Sequence, residues 1–119
     1  MSAETLIALA KAFAENRKEF HANSRAIREC SEDGYVDLQP IRDRFYEGEW
    51  LEDQAVMRWQ GWLHAVQTIF DYDNEVLDED DARYCMAVLL DERRAIRQRA
   101  NALKSRLRVI GEKLLKTSQ

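Results

Sequence analysis

Proline occurs once in this chain, at Pro40, and glycine only four times in 119 residues. So few backbone breakers exclude a fold of many short strands and tight turns, and the abundance of Ala, Leu, Glu, Arg and Gln favours helix. Cysteine is equally sparse: Cys30 and Cys85 stand apart with no CxxC spacing, which argues against a disulfide frame or a zinc site and leaves two small thiols. His21 and His64 have no Cys or carboxylate at zinc-like spacing. A glycine-rich phosphate loop is missing, as is any Ser/His or Cys/His arrangement for nucleophilic catalysis. Long hydrophobic runs are missing too. The longest fully apolar stretch, Cys85 to Leu90, cannot span a bilayer, and Glu4 and Lys11 interrupt the N-terminal segment where a secretory signal needs an apolar run. These absences lead to the expectation of a cytoplasmic protein with no membrane partner, no metal and no cofactor.

What the chain does contain is helical periodicity. From Asp78 to Lys116 one apolar row runs Ala82, Leu89, Ile96, Leu103, Ile110 and its neighbour Met86, Arg93, Ala100, Leu107, Leu114, so the steps alternate between four and three residues. Only Arg93 interrupts the stripe, and its expected partner is a carboxylate of the middle segment. A third row, Val88, Ala95, Ala102 and Val109, widens the apolar face beyond a two-row coiled-coil seam and suits a helical bundle. A second long helix is expected from just after Ser2 to about Cys30, on the row Leu6, Phe13, Phe20 and Ile27, with Asn16 and Asn23 at the edge of its stripe. It should run antiparallel to part of the last helix.

Between these two, a short helix is expected to start from an Asp37 or Gln39 cap, with Pro40 in its first turn, and to end near Gly48. Another is expected from about Leu51 to Phe70, on Val56, Trp59, Leu63, Val66 and Phe70, with Gly61 inside it marking a close approach. The reading is a single all-α domain over residues 1–119. It is a helical bundle with long, coiled-coil-like N- and C-terminal helices and two shorter helices between. Because the last helix outreaches any one partner in the chain, a symmetric homodimer burying Leu103, Leu107, Ile110 and Leu114 is expected.

Charge is distributed unevenly. Residues 29–81 carry sixteen acids against three Arg, whereas residues 93–116 carry nine Lys/Arg against Glu112 alone. Eight of the eleven aromatics fall in the acidic part. Aromatic anchors set among carboxylates suit a contact surface for a basic protein partner, and the residues assigned to it are Tyr46, Glu49, Trp50, Glu52, Asp53, Trp62, Asp71, Tyr72 and Asp73. The expected function is therefore a non-enzymatic adaptor, regulator or inhibitor, and the small size and missing catalytic constellation fit a phage-encoded or accessory bacterial inhibitor. The competing reading is a nucleic-acid-binding regulator using Arg94, Arg97, Lys104 and Arg108 of the basic helix.

The carboxylate pairs Glu49-x-x-Glu52 and Glu75-x-x-Asp78 have the spacing to share a helical face and hold Mg²⁺ with its nucleotide phosphates. The arrangement is similar to that of the all-α nucleotide pyrophosphohydrolases of the MazG type, and departs from it at Gly48, where those enzymes carry another Glu, and at Glu75 to Asp78, which is expected in the acidic loop and not inside a helix. The resemblance covers four residues and implies Mg²⁺-dependent nucleotide hydrolysis. With no further catalytic constellation in the chain, it ranks as the minor alternative.

Overall fold

A computed structural model describes residues 3–32, 36–46 and 61–117, with the backbone alone at residues 32, 42 and 44–46. The described residues form four α-helices and no strand: α1 Ala3–Glu32, α2 Gln39–Tyr46, α3 Trp62–Tyr72 and α4 Ala82–Thr117. At 1.5 Å per residue α1 is about 45 Å long and α4 about 54 Å. No described helix is long and apolar enough to cross a membrane.

Contacts divide the chain into two compact units, one built from residues up to 23 and from 93 onward, the other from residues 24–92. In the first, α1 and α4 pair antiparallel: Asn23 bonds Arg93, Glu19 bonds Arg99, and Thr5 lines one cleft with Ile110. α1 thus accompanies α4 almost to its end, so the partner that the long helix needs is supplied within the chain.

The depth of the rows on α1 differs from expectation. Leu9 and Asn23 are buried and Asn16 is half-buried, whereas Leu6 is exposed and Phe13, Phe20 and Ile27 are half-buried. Both asparagines were expected at the stripe's edge. Asn23 is instead only 2% exposed, its Oδ1 accepting from Arg93 Nε at 2.9 Å, and Asn16 Nδ2 donates to the Ile96 carbonyl at 3.0 Å. Each buried amide finds a partner on α4, which is what makes its burial tolerable.

The second unit holds the larger apolar core, formed by Leu38 and Ile41 of the α2 region, Ala65, Val66, Ile69 and Phe70 of α3, and Met86 and Ala87 of α4. Ile27, Cys30, Trp62, Leu63, Leu77 and Leu90 pack around it half-buried. α2 starts as expected, with the Gln39 backbone N–H bonded to Asp37 Oδ1 at 2.9 Å.

Two boundaries are corrected. Gly61 is not inside a helix: its φ of 91° and ψ of −171° fall in a region open essentially to glycine, and α3 begins after it. Leu51, Val56 and Trp59 of the expected longer helix lie outside the described residues, as does Gly48. Likewise α4 begins at Ala82 and not at Asp78, because Asp78–Asp81 form the turn and cap that precede it.

Candidate interaction surface

The connection between α3 and α4 is short, acidic and held at both ends. α3 closes with Asn74 at φ 56°, the Asn74 N–H bonded to the Asp71 carbonyl at 3.2 Å and the Glu75 N–H to the Phe70 carbonyl at 2.8 Å. That is a Schellman closure, and asparagine tolerates the left-handed conformation better than other residues with a β-carbon. At the other end the Asp80 N–H bonds Asp78 Oδ1 at 3.2 Å, and Asp81 Oδ1 accepts the Arg83 N–H at 2.8 Å as the cap of α4.

Arg83 also folds back on Asp81 in a two-pronged pair, Nε to Oδ1 at 3.0 Å and a terminal nitrogen to Oδ2 at 2.8 Å. Its guanidinium lies 4.6 Å from the centre of the Phe70 ring. The Arg83 hydrogen bond holds the Asp81 carboxyl below the usual carboxylate range, and the same pair raises Arg83.

Between these fixed ends, neighbouring residues face opposite ways. Leu77 turns to the core, while Val76 is 92% exposed and Tyr72 66% exposed. Asp71, Asp73, Glu75, Asp78, Glu79 and Asp80 are all exposed around them. The result is two apolar side chains displayed in a ring of carboxylates, on a backbone ordered by its own turn hydrogen bonds. An arrangement of this kind can meet a cationic surface with charge at its rim and an apolar contact at its centre.

The residues assigned to partner binding are thus only partly assembled. Asp71, Tyr72 and Asp73 come together on this surface. Trp62 lies at the opposite end of α3, half-buried against the core, with its backbone N–H bonded to Asp91 Oδ1 at 2.7 Å. Glu49, Trp50, Glu52 and Asp53, and the side chain of Tyr46, lie outside the described residues. Val76 was missed. Its signal was the single apolar pair Val76–Leu77 inside an acidic loop, where one residue anchors the loop and the other cannot. Glu75 and Asp78 stand in this connection and not on a helical face, so the second carboxylate pair lacks the geometry of the pyrophosphohydrolase resemblance.

On α4 the expected dimer residues separate. Ile110 is buried within the chain and Leu103 is half-buried, while Leu107 and Leu114 are 49% and 53% exposed. Arg94, Arg97, Lys104 and Arg108 are all exposed. Arg93, the break in the stripe, has Asn23 and the Phe20 ring as its described partners, the latter 4.7 Å from its guanidinium carbon. No protein-family model, curated protein or solved structure matches the chain.

Proposed function

We propose that the protein is a non-enzymatic interaction protein, an adaptor, regulator or inhibitor that engages a basic partner surface through the acidic connection between α3 and α4. One observation carries the reading: Tyr72 and Val76 stand exposed among six exposed carboxylates on a loop whose backbone is tied at both ends. In such a contact Tyr72 and Val76 would supply the apolar centre and the carboxylates the charged rim. A preformed loop also loses little conformational entropy on binding, which favours it as a docking element. Cytoplasmic residence and a homodimeric scaffold belong to the same proposal; the exposed Leu107 and Leu114 support the latter.

The test compares the wild-type chain with the double variant Tyr72→Ala, Val76→Ser as bait in a native-host extract. The reading predicts a basic partner retained by the wild type and lost from the double variant. A partner held equally by both contradicts it.

A second reading, nucleic-acid binding, is favoured by the exposure of Arg94, Arg97, Lys104 and Arg108 along α4. It predicts that DNA or RNA retention, and its salt dependence, disappear when Arg97, Lys104 and Arg108 are changed to Glu. Under the interaction reading those changes leave the partner of the acidic loop bound. The minor hydrolase alternative requires turnover of a nucleotide with Mg²⁺ that is lost in Glu49→Gln and Glu52→Gln.

A further inference from the structure

The α1–α4 unit carries a second surface, of opposite sign to the acidic loop. An open groove of about 720 Å³ runs between the two helices, floored by Phe13, Phe20 and Ile96 and edged by Arg17, Arg97 and Lys104. No carboxylate is among its described lining residues, and these three cations make no ion pair with a described residue. Another cleft of the same unit is different. There Glu15 and Glu19 accompany Arg99 and Arg106, and Arg99 donates to Glu19 at 2.7 Å. The chain therefore matches its own charges in one cleft and leaves the other uniformly cationic over an apolar floor.

We propose that this groove docks an acidic amphipathic helix of a partner protein. The backbone N–H and C=O groups of α1 and α4 are used within their helices, so a strand has no edge to join. Helix surfaces instead offer ridges and grooves that a third helix fills, and the groove's span from Phe13 to Phe20, about 10 Å, receives two turns of such a helix. Apolar residues at heptad spacing would meet Phe13, Phe20 and Ile96, and Asp or Glu flanking them would meet Arg17, Arg97 and Lys104.

A single-stranded nucleic acid fits less well, because base stacking needs open aromatic faces. Here the Arg93 guanidinium covers the Phe20 ring, the His21 ring stands edge-on to it at 6.1 Å, and Ile96 supplies aliphatic floor. With the acidic loop as one docking site and this groove as another, the protein becomes an adaptor that joins a basic partner to an acidic helix, a role that rests on the function proposed above.

The test uses the full-length chain and a fluorescein-labelled synthetic amphipathic helix of about five turns, leucine at heptad positions and glutamate beside them. Fluorescence anisotropy should show saturable binding that weakens at least about tenfold in the Arg97→Glu, Lys104→Glu variant and on raising salt well above physiological strength. The same peptide with lysine for glutamate should not bind. Arg97 and Lys104 are exposed, so helicity by circular dichroism should match the wild type; if it does not, Arg17→Glu on the facing helix must produce the same loss alone.

Absence of binding, equal binding of the lysine peptide, or retention by the variants overturns the proposal. So does tighter binding of labelled oligothymidylate, which would assign the groove to nucleic acid. A wild-type dimer that dissociates in the Arg97→Glu, Lys104→Glu variant also overturns it, by assigning the groove to a second copy.

Discussion

Asp91 performs a task that no local pattern announces. Its carboxylate accepts the backbone N–H of Trp62 at 2.7 Å and of Leu63 at 3.0 Å, satisfying the first donors of a helix that begins 29 residues earlier in the chain. Gly61 makes the approach possible: a β-carbon there would stand 2.5 Å from Asp91 Oδ1, and its φ of 91° is one that side chains resist. Asp91→Ala should cost about 2 kcal/mol, as a helix cap lost at a half-buried site. Gly61→Ala should cost about 1–3 kcal/mol from strain and crowding. Urea melts followed by tryptophan fluorescence measure both, and a loss under about 0.5 kcal/mol in either would refute the capping account.

Asp91 and Gly61 also mark where the sequence was legible and where it was not. An apolar stripe from Val56 through Phe70 reads as one helix straight through Gly61, because periodicity records facing and not backbone torsion. A remote carboxylate serving as cap leaves no trace beside the helix it caps. The asparagines of α1 were misjudged for a related reason: composition places Asn at an edge, whereas the partners that pay for burying Asn23 and Asn16 lie on α4, 70 and 80 residues away.

Helix α4 was legible from its alternating steps of four and three, and α1 from the seven-residue spacing of Leu6, Phe13, Phe20 and Ile27. What the sequence left open was which of two adjacent rows sits deepest, since both suit a helix pair and their order depends on the rotation of one helix against the other. The start of α4 was also readable only approximately. Four acids in a row all suit a helix N-terminus, and their roles separate only in the bonds: Asp78 makes a turn and Asp81 makes the cap.

This cap carries a pH dependence. Arg83 lowers the Asp81 carboxyl below its unfolded value, so the cap's contribution is fully present above the unfolded pKa of about 3.9 and is lost as pH falls through the lower folded value. The pair is partly solvated and its ionic share is small. Amide chemical shifts at Ala82–Cys85 should accordingly hold steady down to about pH 4 and move below it, and Asp81→Asn, which keeps a capping oxygen but no charge, should abolish that titration while leaving the helix start in place. A wild-type profile that is flat through the acid range would contradict the pairing.

For the molecule as a unit of assembly, self-association rests on exposed apolar surface and not on helix length. Length alone suggested a dimer, but α1 runs beside α4 as far as Ile110 and supplies that partner. The remaining support is surface: Leu6 and Ile7 at the start of α1, and Leu107, Val109, Leu114 and Leu115 near the end of α4, are exposed. Light scattering should return twice the 14.0 kDa chain mass, and the variant Leu107→Glu, Leu114→Glu should return the single chain with its helicity intact. A wild-type chain that remains at single mass at micromolar concentration removes the dimer and leaves the two charged surfaces unaffected.

The central claim is that the acidic connection after α3 is a contact surface, and photo-cross-linking from within it is the most direct measurement. With p-benzoylphenylalanine in place of Val76, irradiation of native-host cells should yield an adduct of one defined mass containing a basic protein. That adduct should disappear when Asp71 and Asp73 are changed to Lys. No adduct, or one indifferent to that charge reversal, would contradict the account.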